Sequence, residues 1–344
     1  MDSNLNTHIP AVSVVMSVYN GGNYLQEAIE SILKQRFIDF EFIIINDGST
    51  DASENIIKLF NDGRIVYVNN ESNIGLIGSL NKGLKIAKGK YIARMDADDI
   101  ALDDRLELQV QKFIENPKAI VVGSDYYLLS GTKLSYIKNT NDSDYNKAVL
   151  FFSPCFCHPT VMMKNVFNEK NIFYDREYKH AEDYKLWTDL FALGEFLNVD
   201  RALLKYRSHD TQISNKNKEA QLQISNKIRR GFCKKLNFSL SEEQFTTLNL
   251  IGNNSFIKSI DELIKIENCL LELKSQNEIH KVFRVISFNV FLHKFWSDSC
   301  GNSNIGLAAY SIYTKSVLSK VTKVTLDQKS KLLAKCLLRK FRTN

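Results

Sequence analysis

The chain has 344 residues, 44% of them hydrophobic, enough for a sizeable core in one large domain or two unequal ones. No stretch approaches the roughly 18–20 uninterrupted apolar residues of a membrane-spanning helix, and Met1 to Pro10 lacks the apolar core of a secretory signal, so a cytoplasmic protein is expected. The formal charge of +6 is uneven: residues 311–344 hold nine Lys or Arg against the single acid Asp327, a net of +8, which leaves −2 for the first 310.

The first half alternates strand and helix patterns. Val12 to Val18 is a β-branched apolar run suited to a strand covered on both faces. Asn23 is placed to cap a helix in which Leu25, Ile29, Ile32 and Leu33 recur at helical spacing. Glu41 to Ile45 predicts a second strand, ending in the turn Asn46-Asp47-Gly48-Ser49, with a helix beginning near Asp51. Arg64 to Val68 predicts a third strand, Leu76 to Ala87 a helix, and Lys90 to Met95 a fourth strand. A helix is predicted from about Asp103 to Glu115 and a fifth strand at Ala119 to Val122. This order implies an α/β fold with a mostly parallel sheet and helices on both faces.

Beyond Ser124 the pattern is less regular. Tyr126 to Ile137 reads as a hairpin turning at Ser130-Gly131, His180 to Leu193 as a helix, and Glu195–Val199 and Ala202–Tyr206 as two short strands. From about Asn215 only amphipathic helical segments follow, so the expected division is 1–214 (a nucleotide-binding half of about 11–124 and a second half of about 125–214) and a helical region, 215–344. The six cysteines, Cys155, Cys157, Cys233, Cys269, Cys300 and Cys336, form no CxxC pair and are expected to be free thiols, several of them buried.

Ligands of an open parallel sheet bind beyond the carboxyl ends of its strands. There this chain carries Ser17-Val18-Tyr19-Asn20-Gly21-Gly22, then Asn46-Asp47-Gly48-Ser49-Thr50-Asp51, then Asp96-Ala97-Asp98-Asp99. Asn, Asp and Gly also serve plain turns, but three successive strand ends of this kind describe a cleft. Three carboxylates in four residues repel one another unless a cation or hydroxyl offsets them. Hard oxygen ligands suit Mg²⁺ or Mn²⁺, commonly together with substrate phosphate. A helix cap remains the competing reading for Asp99.

The runs VSVVMSVYNGGNYLQEAIESILKQ, FIIINDGSTDAS and NIGLIGSLNKGLKIAKGKYIARMDADD resemble the N-terminal half of glycosyltransferase family 2, strongly over residues 11–125 and more thinly to about 215. The resemblance implies a GT-A nucleotide-binding sandwich followed by an acceptor half. It implies that Tyr19 stacks on the nucleobase, with Ser17 and Asn20 lining that pocket. Asp47 would accept from the base N–H, which favours uracil or a similar pyrimidine. Asn73 and Gly75 would pass beside the nucleotide, glycine allowing close approach. Asp96, with Ala97 next to it, would hold the ribose hydroxyls, and Asp98 the metal bridging both phosphates. Ser17 departs from the family, which commonly has proline there.

In the second half, Glu182-Asp183 matches the family's acidic pair. An inverting transfer needs a carboxylate to take the proton of the incoming hydroxyl, and Asp183 is the residue assigned to it; a carboxylate favoured by a helix N-terminus is the competing reading. Tyr206 to Ser214 resembles a segment that many bacterial members carry, which implies that Arg207 and His209 neutralise the leaving diphosphate or that His209 binds the metal; a surface loop is the competing reading. His158 matches a position near the acceptor, or is a structural histidine.

The expectation is therefore an inverting, Mn²⁺- or Mg²⁺-dependent transferase that moves one sugar from a nucleotide-diphosphate donor, UDP-hexose or UDP-N-acetylhexosamine, to a glycan or lipid-linked acceptor in surface polysaccharide or lipopolysaccharide synthesis. Two alternatives stand beside it. A sugar nucleotidyltransferase would carry a Gly-rich basic phosphate loop where this chain has Tyr19-Asn20-Gly21-Gly22-Asn23. An inactive glycan- or nucleotide-binding member is opposed by Asp96, Asp98 and Asp183. In the basic C-terminal stretch, apolar residues from Val317 to Phe341 spaced at three and four fit a helix lying on anionic lipid, a peripheral membrane contact, or else a helix packed on the protein with its lysines in water. No nucleic-acid module is recognised, and no nucleic-acid partner is expected.

Overall fold

The structure is a computed structural model that describes residues 8–209, 218–253 and 255–340, the side chains of 339 and 340 excepted. The chain separates into two compact units, one formed by residues 1–143 and 156–221, the other by 144–155 and 222–344.

The first unit holds a nine-stranded sheet: β1 (Val12–Val18), β2 (Phe40–Asn46), β3 (Ile65–Asn69), β4 (Tyr91–Asp96), β5 (Ile100–Ala101), β6 (Ala119–Ser130), β7 (Lys133–Ile137), β8 (Met162–Lys164) and β9 (Glu195–Ser208). The spatial order is β3-β2-β1-β4-β8-β6-β9-β5, with β7 paired to β6. β1, β2, β3 and β4 run parallel, β8 is antiparallel to both β4 and β6, and β9 is parallel to β6. Most strands thus share one direction, as expected of the GT-A sandwich.

Helices α1 (Leu25–Leu33), α2 (Ser53–Lys58), α3 (Leu76–Ile86) and α4 (Arg105–Glu115) connect the parallel strands. The alternation of β1 divides its side chains between two faces. Val12, Val14, Met16 and Val18 share a buried cluster with Leu25, Ala28, Ile29 and Ile32 of α1 and with Leu106 and Phe113 of α4. On the other face α3 comes so near that a Cβ on Gly83 would lie 2.5 Å from Val15 Cγ1 and 3.0 Å from Ile45 Cδ1.

Several local expectations are revised. The residue before α1 is Tyr24, and no side chain caps that helix; its first N–H groups turn back to the Gly21 carbonyl, 3.1 Å from both Tyr24 N and Leu25 N. Asn23 is not a cap. Asp99 does not cap α4 either, which starts at Arg105 after Asp104. The expected strands at 195–199 and 202–206 are one strand, β9, whose pairing to β6 steps from Ser124↔Val199 to Asp125↔Ala202. Asp200 and Arg201 form the intervening irregularity, a bulge that breaks the sequence pattern without ending the strand. The hairpin turn carries Gly131 at φ +58°, a left-handed conformation that glycine adopts without steric cost.

The second unit contains α5 (Ser143–Val149), whereas α6 (Phe167–Lys170) and α7 (Glu182–Leu190) belong to the first. It continues with α8 (Lys218–Lys235), α9 (Glu242–Gly252), α10 (Ile260–His280), α11 (Val285–Gly301), α12 (Leu307–Lys315) and α13 (Leu326–Lys340). Its core is aromatic. Phe151 packs 5.3 Å from both Phe232 and Phe238, and Phe152 stacks 5.5 Å from Phe291. Residues 144–155, expected within the acceptor half, thus supply core to the helical unit. The expected boundary at 214 lies outside the described residues.

The basic stretch is two helices joined by a short turn, Val317–Ser319, rather than one continuous helix. In α13, Leu332 and Cys336 are buried while Leu326, Leu337 and Leu338 are exposed; Gly301 lies under Leu332 and Lys335. Part of the apolar face therefore packs on the protein, and its lysines at 329, 331 and 335 are exposed. Phe341 and Arg342 lie outside the described residues.

Gly89, between α3 and β4, is held tightly against β1. A Cβ there would stand 2.5 Å from Ser13 N and 2.6 Å from Val12 C. These are backbone atoms of a central strand and cannot step aside as a side chain would. Gly89→Ala is expected to destabilise the first unit by about 1–3 kcal/mol, read as a lower urea midpoint with an unchanged slope.

Candidate active site

The parallel register puts the ends of three strands level, Val18 opposite Asn46 and Ser17 opposite Asp96. The loops that follow are laced together. Asn20, at φ +53°, donates its backbone N–H to Ser49 Oγ (3.0 Å) and accepts from Thr50 N (2.8 Å). Gly21 N donates to Ser53 Oγ and Gly22 N to Asp51 Oδ2, both at 3.0 Å. Ser17 is half-buried and Tyr19 is 52% exposed at the mouth of this loop. Ala97 packs beneath, where a Cβ on Gly21 would meet its methyl at 3.5 Å.

Asp47 is buried, and its carboxylate organises the next loop. Oδ1 accepts from Asn70 Nδ2 and Ile74 N, and Oδ2 from Gly75 N, each at 2.9 Å. Asn73 Oδ1 also accepts from Gly75 N, at 3.0 Å. Gly75 has φ +83° and open space where a Cβ would sit. Glycine is needed here for its backbone angle rather than for close packing.

Asp96, Asp98 and Asp99 place a carboxylate oxygen each within 4.8 Å of one another. Asp99 is buried, one oxygen accepting from Arg207 N at 2.8 Å and the other without a partner among the described residues. Burial and the neighbouring Asp96 and Asp98 raise its pKa well above the usual carboxylate range. Burial also raises Asp96, against the opposing pull of the Arg94 guanidinium that pairs with it. Asp98 is half-buried, with His209 Nε2 2.8 Å from its Oδ2. This cluster of carboxylates, one buried oxygen unpaired and an imidazole beside it, fits a hard divalent cation.

The end of β9 is docked on the same loop. Arg207 Nε donates to the Asp98 carbonyl (2.8 Å) and Nη2 to Glu27 of α1 (2.6 Å), while its guanidinium lies 4.4 Å over the Tyr24 ring. His209 stands 5.4 Å from that same ring. Residues 210–214 of the Tyr206–Ser214 segment lie outside the described residues.

Glu182 and Asp183 open α7. Asp183 Oδ1 accepts from Tyr184 N at 2.7 Å. Burial, then the adjacent Glu182, push the Asp183 pKa up to about 7. No direct hydrogen bond joins Asp183 to the cluster among the described residues, but Glu182 acts on Asp96, and Asp96, Asp99 and Asp183 all act on the half-buried Cys157 thiol. His158 is held by Tyr174 Oη at 2.7 Å, and burial drives its pKa well below the ordinary value, so it is neutral.

The structure thus gathers Ser17, Tyr19, Asn20, Asp47, Asn73, Gly75, Asp96, Ala97, Asp98, Arg207 and His209 at the carboxyl edge of the sheet, with Asp183 approaching from α7. Sequence reasoning passed over Arg94, Glu27 and Tyr24. Arg94 carried a signal, a charge inside the apolar run YIARMD. Glu27 and Tyr24 carried none, since only the fold brings Arg207 to them.

The family model described as Glycosyl transferase family 2 matches residues 13–170. A protein of Haemophilus influenzae described as an uncharacterized glycosyltransferase is 34% identical over 298 residues, covering 82% of this chain and 86% of its own. Among solved structures, S. aureus TarS 1–349 in complex with UDP aligns with TM-score 0.56 and 18% identity over 84% of this chain and 87% of that one. Mannosyltransferase PcManGT from Pyrobaculum calidifontis, in complex with GDP-Man and Mn²⁺, aligns with TM-score 0.50 and 14% identity over 98% and 89%. At such identities the two structures speak for the fold, and they agree with the GT-A arrangement of the sheet. The matched motifs, the relative aligned over most of both chains and this arrangement carry one conclusion: the chain belongs to glycosyltransferase family 2.

Proposed function

We propose that the protein transfers a sugar, with inversion, from a UDP-sugar to an acceptor hydroxyl in the synthesis of a bacterial surface glycan. The observation that carries this reading is the Asp96-Asp98-Asp99 cluster at the end of β4, flanked by Arg207 and His209 and approached by Asp183. Tyr19, exposed at the loop mouth, is the stacking surface for the base, lined by Ser17 and Asn20. Asp47 Oδ2 accepts from Gly75 alone among the described residues, leaving an acceptor direction for a base N–H, and its other bonds hold Asn73 and Gly75 beside the nucleotide. Asp96 receives the ribose hydroxyls. TarS in complex with UDP supports the uridine donor.

Asp98 and His209 would hold a Mn²⁺ or Mg²⁺ ion, which when bound offsets charge on the departing diphosphate; the Mn²⁺ complex of PcManGT supports this. Arg207 exchanges its Glu27 partner for phosphate oxygens, which it can grip in a bidentate fork. Asp183 takes the proton from the acceptor O–H as that oxygen bonds to the anomeric carbon. The bond from that carbon to the diphosphate oxygen breaks on the opposite face, and nucleoside diphosphate leaves. The lysines of α12 and α13 draw the protein to an anionic membrane carrying a lipid-linked acceptor.

Four outcomes follow, the first from the metal assignment. EDTA is expected to abolish transfer, Mn²⁺ or Mg²⁺ to restore it, and Asp98→Ala to lower kcat/KM by about 10²–10³; full turnover in chelator would overturn it.

The Asp183 pKa near 7 sets a pH dependence. A base must be ionised, so kcat/KM should rise tenfold per pH unit below about 7 and level off above it. Asp183→Asn should lower kcat by roughly 10²–10⁴ and leave the UDP Kd nearly unchanged. For the fold the sign is opposite. A carboxyl whose folded pKa is raised binds more protons folded than unfolded between about 4 and 7, so its contribution to stability falls as pH climbs through that window. Asp183→Asn should therefore gain stability over the wild type at pH 8, by about 1–3 kcal/mol after solvent screening, and none at pH 4.

Asp47→Ala reverses the bias. Losing the anchor of two loop N–H groups should raise the UDP Kd by roughly 10-fold or more, measured by calorimetry. For the membrane contact, the full chain is expected to sediment with vesicles containing phosphatidylserine at low salt and to be released as salt rises. Failure to bind at low salt would leave α13 a solvated face only.

A further inference from the structure

β4 is a central strand, and all of its side chains from Tyr91 to Met95 are buried. Arg94, 5% exposed, is therefore a full charge inside the sheet. Desolvating a guanidinium is costly, and Leu or Met would fill such a position more favourably. Nor does Arg94 complete the fold's own hydrogen bonds, because its Nε is buried without a partner among the described residues. What it does meet is Asp96, two residues on and on the same face, through Nη1 to Oδ2.

That contact is well braced. Arg94 N donates to the Val161 carbonyl at 3.0 Å, and the Arg94 carbonyl accepts from Arg105 Nη2 at 2.7 Å. Arg105 is pinned in turn by Gln109, whose amide donates to the Val122 and Thr160 carbonyls. Asp96, by contrast, has no other hydrogen-bond partner among the described residues. One buried cation thus sets the direction of a partly exposed carboxylate at the edge of the site. The same positive charge favours the ionised forms of Asp99 and Asp183.

We propose that Arg94 is a positioning residue for sugar transfer, aiming the Asp96 carboxylate at the donor's ribose and offsetting the carboxylates that surround a bound diphosphate. This rests on the reading of Asp96 as a ribose ligand given above. Lysine would keep the charge but lose the planar fork and some of the reach that fix Asp96 from below.

The test is a double-mutant cycle on the full chain, with UDP as the calorimetric probe and thermal unfolding recorded beside it. Arg94→Met and Asp96→Asn are each expected to raise the UDP Kd by roughly 10–100-fold while keeping a cooperative thermal transition. The double variant should be little worse than either single one, because Arg94 acts through Asp96. Arg94→Lys should recover part of the affinity. Should Arg94→Met lose its thermal transition, the cycle of Arg94→Lys with Asp96→Asn carries the same comparison. Wild-type UDP affinity in the Arg94 variants, or losses that multiply in the double variant, would overturn the proposal while leaving the donor reading intact. A wild-type protein that binds no UDP would overturn both.

Discussion

The site is governed by negative charge concentrated in a small space. Asp96, Asp98 and Asp99 crowd the end of β4, and Glu182 and Asp183 add to the same field. Carboxylates so placed either take up protons or are offset by cations. The first response shows in the pKa values of Asp96, Asp99 and Asp183, which burial raises most and neighbouring carboxylates raise further. Arg94 from beneath, paired with Asp96, expresses the second. Negative charge so concentrated favours the arrival of a further cation.

Around that centre the loops are held by short polar anchors. Asp47 ties the Asn73–Gly75 turn to the end of β2, and Asn20, Asp51 and Ser53 tie the β1 loop to the β2 loop. Each loop is thereby fastened to a strand of the parallel half, whose ends the register keeps level. Polar residues at three separated positions in the sequence so become one rigid edge. The Arg207 side chain reaches several partners at once: its guanidinium meets Glu27, which is exposed, the Tyr24 ring and the Asp98 carbonyl. Glu27 therefore competes with any phosphate that calls on the same guanidinium.

The helical unit is organised by different forces. Its core of Phe151, Phe152, Phe232, Phe238, Phe288 and Phe291 is apolar, and the lysine-bearing α13 buries only Leu332 and Cys336 of its apolar residues. Arg229 is the polar counterpart within that interior, donating to the Phe152 carbonyl and to Asn226 and Asn253. No helix among the described residues is long and apolar enough to cross a membrane.

The sequence by itself determined the parallel half of the fold and the candidate residues at its edge. Val12–Val18, the run at 40–46 and Tyr91–Met95 are near-continuous apolar runs, and such runs are legible because a strand buried on both faces is predominantly apolar. The turn residues that follow them are legible because ligands of a parallel sheet gather at its carboxyl ends. Where polar contacts crossed long distances in the chain, the pattern said nothing. The bulge at Asp200-Arg201 read as the end of a strand, because a local break in alternation does not distinguish the two. Phe151 and Phe152 gave no sign that they belong with helices some 80 to 140 residues further on. Only the tertiary structure decided that Arg94 faces Asp96, that Glu27 holds Arg207, and that Asp47 spends its hydrogen bonds on a loop. These depend on strand register and helix placement, which are set by the packing of the whole sheet and are absent from any single segment.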